Sequence, residues 1–460
     1  MTDTFPPSQP ALLSQIVADI HHTSNRQALY AALHHKRAAL EPQINAFEAR
    51  REACPDAPSG PLNGLPITVK DQIAVAGWAR GFGLDRPSKK LERTSAPLIA
   101  RLEEQGAEVT GKTALPPNAM DFQTGNTRRG PTTNPHDPRY TSGGSSGGGA
   151  AAVASGMSVL DIGADLGGSL RLPAAWCGVT SLTPTEGAVN TAGMLPKGQS
   201  LAHFARIGPI AAQVRDLRFI WDVMADEKEN DIPQPQKVAL WTAGSSAPCD
   251  GMTLDVWQRL PALLGQTNLA VAPDPMSMLF TAEVYRMTGE IIGHETGALI
   301  PALIRWVLRR DRKAARQSPG FLTHVHQGYR RDAGQYADNL ADMDRFRAET
   351  LSHWADVDAL ILPVTGICAF KHLPPTTDRG GVRHYDQTFD TAAGPLGYFD
   401  ALTRFTLPVT LMGWPVVTLP IGRDGNGLPV GAQVVGKPHA ERQVLALARA
   451  LEKAIAFRGL

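Results

Sequence analysis

The chain has 460 residues, 43% of them hydrophobic, and 45 Lys and Arg against 44 Asp and Glu give a formal net charge of +1. This length can bury a large core, in several domains or in one large α/β domain. The balanced charge argues against nucleic-acid binding by bulk electrostatics, and with this hydrophobic content it argues against a disordered chain. Glycine stands out among the 44 copies because many crowd into one place, the run from Ser142 to Gly149.

In chain order, Ser24 can cap a helix through His35, and a second helical pattern covers Pro42 to Arg51. A proline-rich break follows at Pro55 to Pro61, then Leu65 to Val69 is a short apolar run fit for a buried strand. Ser95 to Gln105 predicts a helix closed by Gly106, and Ala107 to Thr110 a strand. Ala150 to Ser155 reads as a small-residue helix, Val159 to Ala164 as a strand and Leu170 to Cys177 as a short helix. From about 227 to 354 the chain is charged, helix-rich and poor in glycine. Strand patterns return at Ala359 to Pro363, Pro415 to Pro420 and Val430 to Val435. An amphipathic helix over Ala440 to Ala454, with Val444, Leu445, Leu447, Leu451 and Ile455 on its apolar side, closes the pattern. The alternation predicts one large α/β domain, 1–460, with a helix-rich insertion at 227–354.

Four isolated cysteines (Cys54, Cys177, Cys249 and Cys368) contain no CxxC pair and read as reduced core thiols. The start MTDTFPPSQP lacks the pattern of a signal peptide. No uncharged apolar stretch approaches the roughly 18 residues of a membrane span. A cytoplasmic protein with no membrane partner is the expectation.

Gly106 to Thr113 spells GxxxxGK[ST], the phosphate-cradling pattern, but a helix precedes it and Pro116-Pro117 follow, the reverse of the required context. Gly143 to Gly147 spells GxSxG, but Asn134 to Tyr140, with two prolines and several charges, cannot be the buried strand a nucleophile elbow needs. No Lys has a Ser three residues before it, which excludes an SxxK site. Asp165 to Arg171 places a glycine turn between a strand and a helix. That turn aims backbone amides at one spot beside the Ser169 hydroxyl, as an oxyanion hole requires, or is a plain turn capped by Ser169. Lys70 ends an apolar strand, so it is either a desolvated, neutral base or an ion-pair partner of Asp71 or Asp165. Arg171 reads as a partner of Asp165 or a binder of a substrate carboxylate. Arg305, Arg309, Arg312 and Arg316 fall on one helical face, solvated or open to an acidic ligand or partner. His324 and His326 lack further metal-ligand neighbours in the sequence.

Taken together, Gly143-Gly144-Ser145-Ser146-Gly147-Gly148, then Gly163 to Ala174, resemble the amidase signature. Gly64 to Asp71 resembles that family's GxPxxxKD segment, Asn134-Pro135 its Asn-Pro, and Gly413-Trp414-Pro415 with Leu428 to Gly436 its closing pattern. The resemblance covers about residues 43–225 and 355–456. Thr183-Pro184-Thr185 and Asn190 depart from the usual pattern, which blurs substrate more than reaction type.

The resemblance implies a mixed central sheet sandwiched by helices and a serine–cis-serine–lysine triad, with a cis Gly144–Ser145 bond. Ser169 would be the nucleophile, Ser145 the relay and Lys70 the base. Amides around Leu166, Gly167, Gly168 and Ser169 would hold the oxyanion. Ala119, the segment after Thr183 and the insertion would shape the substrate pocket. Ser146 is the neighbouring alternative to Ser145. The resemblance implies a small-molecule amide substrate, no metal or organic cofactor, no direct nucleic-acid contact and, by analogy with relatives, a homodimer. It also admits a second reading, the amidase subunit of a glutamyl-tRNA(Gln) amidotransferase.

Overall fold

The apolar runs become strands buried along their whole length: every residue of Leu65–Lys70 and of Leu160–Asp165 is buried. A strand covered on both faces reads as a continuous apolar run rather than an alternating one. The computed structural model describes residues 12–460 apart from 52–53, 55–59, 197–198, 200, 226–236, 244–247, 375–376, 380–381, 458 and 460. The N-terminal decapeptide, most of the Pro55–Pro61 break and the first residues of the 227–354 segment lie outside the described residues.

Eleven strands form the central sheet: β1 (Phe47–Arg50), β2 (Leu65–Lys70), β3 (Ala107–Thr113), β4 (Leu160–Asp165), β5 (Thr180–Thr183), β6 (Arg206–Ala211), β7 (Lys237–Trp241), β8 (Ala270–Asp274), β9 (Ala359–Pro363), β10 (Val416–Arg423) and β11 (Pro429–Gly436). Their spatial order is β1-β3-β2-β4-β6-β5-β10-β11-β9-β7-β8. Parallel pairs join β2 to β3 and β4, and β7 to β8 and β9; the other pairs are antiparallel. The expected mixed α/β sheet is therefore present, flanked by helices. The C-terminal helix (Glu441–Ile455) lays Val444, Leu445, Leu447 and Leu451 into the core against β10 and β11.

Two expectations need correction. A single helix, α1 (Thr23–Ile44), replaces the two expected near the N-terminus, and no side chain caps its start. Asn45 then turns into the left-handed region at φ 58°, while the Glu41 carboxylate accepts the amides of Ala46 and Phe47 at 2.8 and 2.9 Å. That arrest releases Phe47–Arg50 to pair with β3, so the stretch expected to be helical supplies an edge strand. The 227–354 segment, besides its helices, contributes β7 and β8 to the sheet. Both lie within a charged, helical stretch, and β8 is only partly buried, so neither stands out as a continuous buried run.

The glycine run opens helix α2 (Gly147–Ala154), which packs on β2, β3 and β4. A Cβ on Gly148 would lie 2.3 Å from the Ala114 nitrogen and 2.5 Å from the Ala46 oxygen, both backbone atoms that cannot step aside. The glycine is thus a packing requirement that brings helix and sheet into backbone contact. Gly148→Ala is expected to lower the denaturation midpoint by the equivalent of about 1–3 kcal/mol. Gly425→Ala, where a Cβ meets nothing within 4 Å, should leave it within about 0.5 kcal/mol; urea titration of both variants checks the pair.

Candidate active site

Lys70 is the last residue of β2 and is fully buried. Its Nζ lies 2.7 Å from Ser145 Oγ, 3.0 Å from Ser146 Oγ and 3.4 Å from the Ala164 carbonyl oxygen. Burial lowers its pKa to about 7, partly opposed by the charges of Asp165 and Asp161. Neither expected ion-pair partner makes a hydrogen bond to it. Asp71 accepts the Gly81 amide at 2.6 Å, and Asp165 is bound to Arg171. Asp161, opposite Thr68 on the neighbouring strand, takes hydroxyl hydrogen bonds from Thr68 (2.7 Å) and Thr113 (3.0 Å) on Oδ1. Its carboxyl is raised to about 6 by burial.

Ser145 follows a cis peptide bond from Gly144. Its neighbour Ser146 is engaged differently. The Ser146 hydroxyl donates to the Ala164 carbonyl at 3.2 Å and accepts from the Ala164 amide at 3.4 Å, which ties it to β4. The Ser146 amide donates to the Ser169 carbonyl at 3.0 Å, so the two serine-glycine turns are joined directly.

The second turn is organised by Asp165. Its carboxylate accepts the amides of Gly168 (2.8 Å) and Leu170 (2.9 Å), together with Arg171 Nη2 (2.8 Å) and Nε (3.2 Å). Burial alone would raise this carboxyl, but Arg171 and the amides hold it well below the usual carboxylate range. Arg171, 0% exposed, spends its remaining donors on the Thr406 carbonyl (3.0 Å), Gln433 Oε1 (3.0 Å) and Thr410 Oγ1 (2.8 Å). It is a structural clamp, with no donor left for a substrate carboxylate.

Ser169 does not take the alternative capping role; the Leu170 amide ahead of the helix donates to Asp165 instead. The helix Arg171–Cys177 has no side-chain cap, and the hydroxyl of Ser169, a residue 9% exposed, has no hydrogen-bond partner among the described residues. The Gly168 amide, bound to Asp165, drops out of the expected oxyanion set. The amides of Leu166, Gly167 and Ser169 have no acceptor among the described residues. The Gly167 carbonyl is pinned by the Thr406 hydroxyl at 2.7 Å.

Lys70, Ser145, Ser169, Leu166 and Ala119 share one cavity of about 460 Å³. Gly167 and Gly168 are not among the residues that line it. Ala119 is presented by a tight turn, Pro117–Ala119, in which Asn118 and Ala119 both have positive φ, 53° and 58°. From sequence, the segment after Thr183 and the insertion are identified only as regions. The lining takes Met194 to Pro196 and Leu201 from the first, and Thr296, Leu299 to Pro301 and Ile304 from the second. Phe82 and Leu84 escape sequence reasoning altogether; they lie in an irregular stretch without motif or periodicity.

Other candidates resolve elsewhere. β3 runs through Gly111-Lys112-Thr113, and Lys112 is buried with its amine on the Ile73 carbonyl, so no phosphate cradle forms. The four arginines do not share a helical face, because the chain breaks between the helices Ala302–Leu308 and Arg312–Gln317. Among the described residues no group of three or more His, Cys, Asp or Glu is placed to hold a metal ion, which leaves His324 and His326 without a third ligand. The cysteines form no disulfide; Cys177, Cys249 and Cys368 are buried, whereas Cys54 is half-buried rather than in the core. No described helix is long and apolar enough to cross a membrane.

A family model for amidases matches residues 21–445. The chain is 28% identical over 475 residues to a glutamyl-tRNA(Gln) amidotransferase subunit of Carboxydothermus hydrogenoformans, covering 91% of this chain and 92% of that protein. It is 27% identical to a fatty acid amide hydrolase of Arabidopsis thaliana over 86% of this chain and 65% of that protein. A solved amidase structure superposes with a TM-score of 0.78 at 27% identity, covering 96% of this chain and 99% of that one. The chain therefore belongs to the amidase signature family of amide C–N hydrolases.

Proposed function

We propose that this protein is a serine amidohydrolase that cleaves a small carboxylic amide to the acid and ammonia or an amine. Ser169 is the nucleophile, Ser145 the proton relay and Lys70 the base. The observation that carries this reading is the buried Lys70 amine 2.7 Å from Ser145 Oγ, with Ser169 in the same cavity.

A neutral lysine has two N–H donors and one lone pair. Its three neighbours match that inventory. The Ser146 proton is committed to the Ala164 carbonyl, so Ser146 accepts from Lys70 and Ser145 is the hydroxyl that can donate into the lone pair. Ser145 Oγ is then the site that receives the Ser169 proton as Ser169 Oγ bonds to the substrate carbonyl carbon. The tetrahedral oxyanion is held by the amides of Leu166, Gly167 and Ser169, each donor of this kind worth about 3–4 kcal/mol. As the C–N bond breaks, the proton on Lys70 returns through Ser145 to the leaving nitrogen. Water then attacks the Ser169 ester by the same relay, releasing the acid and restoring the hydroxyl.

A second reading is favoured by the 28% identity to the amidotransferase protein: hydrolysis only inside a complex, with partner chains supplying tRNA contacts. Ammonia release from simple amides by the purified chain alone supports the free amidase; silence until partner chains are added supports the other.

Ser169→Ala is expected to abolish hydrolysis and labelling by a fluorophosphonate, and residual turnover near the wild-type rate would refute the nucleophile. The wild-type log kcat/KM should rise with unit slope below a pKa of about 7 and level off above it, because the base must be neutral. Lys70→Met should lose at least about 10³-fold in kcat and yet unfold at higher denaturant at pH 6. The folded-state pKa is depressed from 10.5 to about 7, so the buried charge destabilises the fold fully below about pH 7. The variant's gain should therefore shrink as pH rises from about 7 toward 10.5; parallel urea titrations across that window check the sign.

A further inference from the structure

We infer that the substrate is an uncharged, predominantly apolar amide, whose hydrocarbon part runs from the serines toward the surface at Leu84 and Ile304; this rests on the amidase reading above. Among the described lining residues only Lys70 and Asp165 are ionisable acids or bases. Asp165 is saturated by Arg171 and two amides, and Lys70 is engaged by two serines and a carbonyl. Neither is left to pair with a charged substrate group. The other polar lining groups outside the serines are the neutral side chains of Gln72, Asn118, Gln199 and Thr296.

The rest of the described wall is hydrocarbon or thioether, including Phe82, Met120, Met194, Leu201 and Leu299. The cavity, about 460 Å³, is of the size that encloses small organic ligands. It also reaches the surface without changing character. Ser145 is 1% exposed, whereas Leu84 and Ile304, which line the same cavity, are 37% and 38% exposed. An apolar chain ending in an amide can leave water along the whole of this wall and keep its one polar group beside the serines.

A free α-amino acid amide such as glutamine fits the same walls badly. Its ammonium and carboxylate would be desolvated beside hydrocarbon with no counter-charge among the described lining residues, which strongly disfavours binding. The described part of the site therefore discriminates against a free α-amino acid amide. Ile304 matters because it belongs to the helix Ala302–Leu308, on the surface, so its substitution can be read without disturbing the core.

The test is a panel of kcat/KM values for the purified full chain, measured by ammonia release. It comprises acetamide, butyramide, hexanamide and octanamide, the charged analogue 6-aminohexanamide, and L-glutamine. The expected result is a rise of about fourfold per methylene from butyramide to octanamide, with 6-aminohexanamide and glutamine at least about 10³-fold below hexanamide. Ile304→Asp should cut the octanamide-over-acetamide preference by about tenfold. A flat or falling chain-length series, a charged amide matching hexanamide, or an unaltered preference in Ile304→Asp would overturn the inference. Mass-spectrometric labelling of Ser169 by a fluorophosphonate separates the two levels. If Ser169 labels and short or charged amides are preferred, or no amide of the panel turns over, the substrate class alone falls. If Ser169 does not label and nothing is cleaved, the amidase roles fall with it.

Discussion

An amine placed where water cannot reach it, without a carboxylate to hold its proton, is the constraint on which the rest of this site depends. Lys70 ends a strand buried along its whole length, and its pKa falls toward neutrality through burial. Had Asp165 turned to it, the ion pair would have kept the lysine charged. Asp165 is instead consumed by Arg171 and by the amides of Gly168 and Leu170. Arg171 is held in turn by Thr406, Thr410 and Gln433, from α and β elements far away in the chain. One buried ion pair thus shapes the Ser169 turn and leaves Lys70 unpaired by a carboxylate.

The glycine run serves the same end by packing. α2 approaches the sheet until backbone meets backbone at Ala114 and Ala46, and a Cβ on Gly149 would sit 2.0 Å from Asp161 Oδ2. Such closeness sets Ser145 and Ser146 against the end of β2, where both reach Lys70. Ser146 is anchored to β4 by Ala164, and in the proposed mechanism this leaves Ser145 as the member of the pair that relays the proton. What composition marks only as an excess of glycine is a dry, close-packed wall behind the candidate base.

Most of the sheet was legible because buried strands leave continuous apolar runs: Ala359–Pro363 matches its expected limits, and β2, β4, β10 and β11 differ only at their ends. The candidate site was legible because its glycines and serines cluster in sequence. What escaped has physical reasons. The arrest of α1 depends on a left-handed Asn45 and on Glu41 folding back onto two amides, a tertiary choice that helical periodicity does not announce. β7, next to the edge, and β8, at the edge, lie within a charged, helical stretch whose pattern masks them. The engagement of the Gly168 amide by Asp165 is set by the fold of the turn, because a glycine turn in sequence says nothing of which amides stay free. Met194, Leu201 and Ile304 meet in one cavity from distant segments without a shared pattern.

The central claim is that Lys70 is neutral when the enzyme works, and the most direct measurement is the titration of its own amine. NMR of the full-length protein carrying isotope-labelled lysine side chains, with the resonance assigned by its absence in Lys70→Met, would report it. The account predicts a single ionisation near pH 7. An amine that stays protonated through pH 9 would contradict it, and with it the role of Lys70 as the base behind Ser145.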